Sequence, residues 1–362
     1  MKVGVLSMQK ILNYGSFLQA FSLKTQLERR GCDVYFIDIL AGKTICEVSK
    51  STNTSVSLAK KFDRYTLRRI ENYFLSRKMT RIHIDDYRRF LQTDKTLKPG
   101  ERFDLAVIGS DEVFNATIPS RWGFSTQLFG KIDEADRVVT YAASCGSTTL
   151  AAAEKFGIVD ELRDAMTNLR ALSVRDRNTA DFVAGILGRE PEIHVDPVFL
   201  TDFDAHIPTV KTRRPYLLVY AYGNRISDER EIAAVREYAK KRNLEILCVG
   251  MQQRWADRTI AANAFELLAY VKGAERVVTD TFHGSVFSIK YNKKFATFIR
   301  ESNRNKLGGL LRQFGLFERS VENMVDLERV LDADVDYVAT NAAIAAEQKR
   351  SFDYLDAVCR LG

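Results

Sequence analysis

The sequence predicts an α/β protein made of two Rossmann-like domains that hold their substrates in a cleft between them. Three observations carry this prediction. Strand and helix patterns alternate in both halves, a chain of 362 residues exceeds one ordinary core, and a polar stretch at 201–215 separates the halves. The expected domains are 1–205 and 206–325, with a helical tail over 326–362.

The first half opens on KVGVLSM (2–8), an apolar run that reads as a buried strand, followed by SFLQAFSLKTQLERRG (16–31), a helix stopped by Gly31. DVYFIDI (33–39) completes a βαβ unit, and a basic helix is expected over 58–78. DLAVIGSDEVFN (104–115) is a strand that breaks at Gly109-Ser110-Asp111, and VVTYAASCGS (138–147) is a strand ending in small residues. EKFGIVDELRDAMTNL (154–169) reads as one helix, ALSVRD (171–176) as a strand and RNTADFVAGILG (177–188) as a helix. HVDPVFL (194–200) closes this half. Beyond the linker come YLLVYAYG (216–223), a helix over 228–242, EILCVGM (245–251), a helix over 263–272, RVVTD (276–280), a helix over 284–291 and KFATFI (294–299). In the tail, Ala345, Phe352, Leu355 and Val358 form an apolar stripe that needs burial.

Composition narrows the class. With 46% hydrophobic and 28% charged residues the chain resembles an ordinary globular protein. No apolar stretch approaches the roughly 20 residues of a bilayer span, and MKVGVLSMQK lacks a signal-peptide apolar region. A cytoplasmic location is therefore expected. The five cysteines are scattered without a C-x-x-C pair, and the four histidines stand apart, so no metal site is expected.

The net charge of +7 is concentrated. Between Lys60 and Phe90 ten Lys/Arg face four carboxylates, with Leu58, Phe62, Tyr65, Ile70, Tyr73 and Phe74 at roughly helical spacing. This helix is either a solvated face or a surface for a phosphorylated or lipid-linked substrate or an anionic membrane. No nucleic-acid fingerprint accompanies the charge, so nucleic acid is not an expected partner.

Residues able to do chemistry gather at strand ends, where ligands bind in such sheets. They are Asn13-Tyr14-Gly15, Ser110-Asp111, Ser144, Arg175 and Thr281 to Ser285. Gly15 at a helix start could admit an anion to free backbone amides, but N-Y-G equally suits a plain cap and turn. The surrounding QKILNYGSF is neither G-x-G-x-x-G nor a Walker loop. His283, beside Gly284 and the amides that follow, is either a satisfied structural histidine or a proton donor. Arg175 offers a planar fork for phosphate or carboxylate, or a structural partner for an acid such as Asp176; Arg300 invites the same reading.

Taken together, these motifs resemble the polysaccharide pyruvyl transferase family, in its N-Y-G branch. The resemblance rests on N-Y-G-S-F-L-Q-A-F (13–21), V-I-G-S-D-E-V-F-N (107–115), A-A-S-C-G (142–146), S-V-R-D (173–176), V-D-P-V-F-L (195–200) and T-D-T-F-H-G-S-V-F-S (279–288). It implies a GT-B-like pair of domains, whose last helix often crosses back to the first domain. It further implies transfer of a pyruvyl group from phosphoenolpyruvate, a co-substrate, to two hydroxyls of a sugar or glycan acceptor as a ketal, with no cofactor. The acceptor is free or lipid-linked, and peripheral contact with the inner membrane face would follow from the second case.

Carried onto this chain, His283 becomes the general acid and Arg175 the group that holds the donor's phosphate or carboxylate. Gly284, Ser285, Thr281 and Arg300 fall on the donor side, and Asn13, Tyr14, Gly15, Ser110, Asp111, Asn115 and Ser144 on the acceptor side. The departure is Thr281, where better-studied members carry arginine, so Arg300 is expected to replace the missing cation. Two rival readings share the architecture: a GT-B glycosyltransferase using a nucleotide sugar, and a non-catalytic glycan-binding protein.

Overall fold

Two parallel sheets form the molecule in a computed structural model that describes residues 1–45, 64–117, 122–223 and 225–360. The first contains β1 (Lys2–Leu6), β2 (Asp33–Phe36), β3 (Leu105–Asp111), β4 (Val138–Ala143), β5 (Leu169–Ala171), β6 (Ser173–Val174) and β7 (Glu192–Ile193). Its order is β2-β1-β3-β4-β6-β7, with β5 beside β4. The second contains β8 (Tyr216–Tyr220), β9 (Glu245–Val249), β10 (Arg258–Ile260), β11 (Arg276–Thr279), β12 (Phe295–Phe298) and β13 (Ser320–Val321), ordered β10-β9-β8-β11-β12-β13. Strands such as YLLVY and LAVIGS are apolar on both faces because helices cover both sides of a parallel sheet.

The helices are α1 (Tyr14–Glu28), α2 (Arg64–Asp86), α3 (Leu150–Lys155), α4 (Val159–Met166), α5 (Arg177–Leu187), α6 (Glu229–Lys241), α7 (Ala264–Gly273), α8 (Phe282–Lys290), α9 (Arg304–Gln313), α10 (Leu327–Asp332) and α11 (Tyr337–Arg360). In each sheet the strand order reverses once, between β1 and β3 and between β8 and β11. The loops after those four strands therefore part to opposite faces and leave a crevice, where ligands of open α/β sheets bind.

Beside the crevice the domains meet through apolar packing. Phe265 of α7 touches Phe17 and Phe21 of α1, with ring centroids 5.8 and 5.3 Å apart, and Phe90 at 4.9 Å. One buried cluster runs from Val3 and Phe17 through Leu218 and Val277 to Leu355. The last helix crosses back: the Tyr354 hydroxyl donates to the Thr140 carbonyl in β4 at 2.7 Å, and Arg30 pairs with Asp356 at 2.6 Å.

Several expectations are corrected. The segment 154–169 is not one helix, because Gly157 at φ +64° breaks it between α3 and α4. The first helix starts at Tyr14, placing Gly15 within its first turn. HVDPVFL follows the short β7 as a loop and a 3-10 turn over Pro197–Leu200. In the tail, Ile344 and Tyr354 are buried while Ala345 is exposed, so the stripe is displaced by one position at its start. The basic helix extends to Asp86; Leu58 and Phe62, with Lys60, Lys61 and Cys46, lie outside the described residues.

Candidate functional site

His283 is set in place by a strand, a cap and a close contact. β11 ends at Thr279, and the Thr281 hydroxyl caps α8 by accepting from the Gly284 amide at 2.9 Å. Gly284 leaves no space for a side chain, since a β-carbon there would lie 2.1 Å from Thr279 Oγ1. Across the interface, Asn13 caps α1 by accepting from the Gly15 amide at 2.7 Å. A β-carbon on Gly15 would lie 2.1 Å from His283 Nδ1. The N-Y-G and F-H-G motifs thus meet directly, and the space at Gly15 is taken by the imidazole.

The other ring nitrogen faces an acid. His283 Nε2 is 3.5 Å from Asp196 Oδ2, within ion-pair range but long for a hydrogen bond, and only 8% of the residue is exposed. The same Asp196 oxygen accepts from Arg175 Nη1 at 3.1 Å. Burial pushes the Asp196 carboxyl up, but His283 and Arg175 outweigh it and hold the group below the usual carboxylate range. Burial likewise opposes the charge of Arg175, which Asp196, Asp111, Asp176 and Glu112 more than restore. The guanidinium stacks over Phe282 at 4.1 Å, and its Nε has no hydrogen-bond partner among the described residues.

The remaining expected residues divide. Ser110 is buried and donates to the Ala142 carbonyl at 3.0 Å, and Ser144 donates to Asp176 at 2.9 Å, so both hydroxyls hold the loops together. Asp111 accepts from Ser16 at 2.6 Å. Asn115 donates to Glu112 at 2.8 Å and accepts from Thr148 at 2.8 Å. Asn13 also donates to the Tyr222 hydroxyl at 2.9 Å, and Tyr14 donates to the Ala262 carbonyl at 2.8 Å; both contacts tie the domains. Ser285 bonds within its own domain, its hydroxyl 3.0 Å from Thr297 Oγ1. Arg300 forms a two-pronged pair with Glu231 at 2.9 and 3.0 Å, so its charge is largely engaged.

Two cavities flank this cluster. The first, of about 580 Å³, is walled by Tyr14, Tyr73, His83, Tyr220 and Tyr222, with Asn13 and Thr281 as polar contacts. The second, of about 710 Å³, is lined by Arg175, Asp196, Phe282, Lys306 and Arg350. Thr281 belongs to the first and Phe282 to the second; His283 follows them, buried between Gly15 and Asp196.

Sequence reasoning assigned no role to Asp196, Glu112, Lys306, Tyr222 or Asp280. Glu112 pairs with Lys306 across the interface at 2.6 Å. Asp196 and Asp280 stood in quoted motifs, V-D-P and T-D-T-F-H-G, which was the available signal. Lys306 and Tyr222 carried none, because only folding brings them to the cleft.

Two parallel α/β sheets facing a shared cleft give the chain a GT-B-like architecture. The chain belongs to the polysaccharide pyruvyl transferase family, whose model, described as "Polysaccharide pyruvyl transferase", matches residues 13–302. No curated protein matches the sequence. Among solved structures, Arabidopsis thaliana UGT89C1 complexed with quercetin is similar at TM-score 0.51 and 12% identity, over 99% of each chain. Its complex with UDP is similar at TM-score 0.50 and 10% identity, covering 99% of this chain and 100% of that one. CalG4, the calicheamicin glycosyltransferase, gives 0.49 and 12%, over 100% and 99%. At such identities the likeness to the two UGT89C1 structures speaks to the fold alone.

Proposed function

We propose that the protein transfers a pyruvyl group from phosphoenolpyruvate to a glycan, forming a ketal across two hydroxyls. The observation that carries this reading is the grouping of His283, Asp196 and Arg175 at the domain junction. Phosphoenolpyruvate becomes electrophilic at C2 only when its methylene carbon takes a proton. His283 supplies that proton, and Asp196 balances the charge at Nε2. Arg175 compensates donor charge in surroundings where water is scarce and such compensation counts most.

One sugar hydroxyl then bonds to C2, and its proton is released. The C2–O bond to phosphate breaks as inorganic phosphate leaves, and a second hydroxyl closes the ketal with loss of its own proton. The first cavity suits the acceptor, since aromatic faces pack well on sugar rings while Asn13 and Thr281 supply polar contacts.

A cytoplasmic site of action at the inner membrane face belongs to the same proposal. No helix among the described residues is long and apolar enough to cross a membrane. The exposed outer face of α2 instead offers Tyr73, Phe74, Arg77, Lys78 and Arg81, a mixture suited to anionic headgroups beside a lipid-linked acceptor. Charge reversal at Arg77 and Lys78 should abolish sedimentation with anionic vesicles at low salt, and retained sedimentation would make the helix a solvated face.

The decisive assay supplies phosphoenolpyruvate and a β-galactoside or N-acetylmannosamine-containing acceptor in EDTA. Phosphate release together with a pyruvylated product is expected. A strict requirement for Mg²⁺ or Mn²⁺, or thermal stabilisation by UDP-sugars but not by phosphoenolpyruvate, would move the protein to the nucleotide-sugar transferases.

A further inference from the structure

Asp280 directly follows β11, three residues before His283. It is fully buried, and neither carboxylate oxygen has a hydrogen-bond partner among the described residues. A buried charge left this way is costly unless cations stand close. Two do: Arg300 Nε at 3.7 Å and Arg225 Nη1 at 3.8 Å.

The two arginines are not equivalent. Arg300 is fastened to Glu231 by both prongs and donates to the Arg225 carbonyl at 2.8 Å. The side chain of Arg225 is 40% exposed and makes no hydrogen bond to any described residue. Its guanidinium lies 4.9 Å from the centre of the Tyr222 ring, whose hydroxyl accepts from Asn13 at 2.9 Å. Arg225 is thus a half-exposed cation beside Tyr222, a wall of the first cavity, with its fork free of hydrogen bonds to the described residues.

The charge pattern indicates what such a fork receives. Thr281, where the resemblance leads one to expect arginine, is uncharged, and its hydroxyl is engaged by Gly284 and lies 3.0 Å from Thr279 Oγ1. Arg300, the expected substitute, is spent on Glu231. Phosphoenolpyruvate carries two anionic groups, and Arg175 serves one side of the cluster. We propose that Arg225 binds the donor's phosphoryl group and that Asp280 is the positioning residue that aims it. The proposal rests on the pyruvyl-transfer reading for the donor's identity. A planar fork matches phosphate oxygens in pairs, which an ammonium cannot do.

The test pairs kinetics with unfolding. Arg225→Gln should raise KM for phosphoenolpyruvate about 10-fold or more, with kcat within about 3-fold and Tm unchanged, because an exposed side chain costs the fold little. Arg225→Lys should recover only part of the loss. Asp280→Asn should also raise KM while Tm holds or rises, since a buried carboxylate with no hydrogen-bond partner among the described residues loses its desolvation cost; a merely structural role would lower Tm and leave KM alone.

Inorganic phosphate, used as a second probe of thermal protection, should protect the wild type and not Arg225→Gln. If that difference holds while phosphoenolpyruvate neither binds nor reacts, the pyruvyl reading falls and the anion assignment stands. Wild-type KM and full phosphate protection in Arg225→Gln would overturn the assignment, and wild-type KM in Asp280→Asn would remove the positioning role.

Discussion

At Gly15 a single methyl group decides the geometry of the site. A β-carbon there would fall 2.1 Å from His283 Nδ1, so Gly15→Ala must push the imidazole away from Asp196 or part the domains. Misplacement on the ångström scale lowers rates by about 10²-fold. Pyruvyl transfer by Gly15→Ala should fall by about that factor, and a crystal structure of the variant should show the displaced ring. His283→Gln tests the same group chemically: kcat should drop by roughly 10²–10⁴-fold with KM and Tm nearly unchanged, because glutamine fills the space without supplying the proton. Turnover at the wild-type rate in His283→Gln would leave the histidine as packing. Local sequence could identify His283 and Gly15 as candidates but not as neighbours, since they stand 268 positions apart in the chain.

Among elements, α11 shows how a tail joins the domain that precedes it. Its buried positions include Ile344, Tyr354, Leu355 and Val358, and Tyr354 reaches the Thr140 carbonyl in the first sheet. Leu355→Ala should cost about 2–5 kcal/mol, read from the denaturant midpoint, with hydrogen exchange in β4 rising alongside. Exchange in β4 that stays at the wild-type level would mean that α11 does not support the first sheet. The stripe read from sequence included Leu355 and Val358 but took Ala345 for Ile344. Small apolar residues are too frequent in that stretch for spacing alone to choose the inward face.

For the whole molecule, the cleft is held by apolar packing together with charge pairs between the domains, among them Glu112 with Lys306. An interface as apolar as that around Phe265 resists free hinging. Over it, burial pushes the Glu112 carboxyl up, yet Lys306, Arg175 and Asn115 prevail and hold it down to about 2. The unfolded chain, with an ordinary carboxyl, takes up a proton first as pH falls. The stabilisation is therefore complete above the ordinary glutamate range and is lost as pH drops towards about 2. The Glu112 side chain keeps 27% of its surface exposed, which trims the effect to on the order of 2 kcal/mol. Lys306→Met should lower stability near neutral pH by about that amount and flatten the acid limb of the stability profile. An unaltered acid limb in the variant would show that Lys306 does not hold the pair.

By itself the sequence determined the fold class, the alternation of strands and helices, the placement of reactive residues at strand ends, and the family. All of these follow from periodicity and short motifs, which are properties of neighbours along the chain. The tertiary structure alone decided which groups became partners: His283 against Gly15 and Asp196, Glu112 with Lys306, Arg300 with Glu231, and Arg225 beside Asp280. It also decided which candidates were consumed by the scaffold, as with Ser110 and Ser144. The physical reason is that a buried charge or an unfilled hydrogen bond is settled by whatever folding brings within about 4 Å, and sequence distance carries no record of that. Arginines that look alike in sequence differ in their partners: Arg300 is held in a two-pronged pair by Glu231, whereas the Arg225 side chain pairs with Asp280 and makes no hydrogen bond to a described residue.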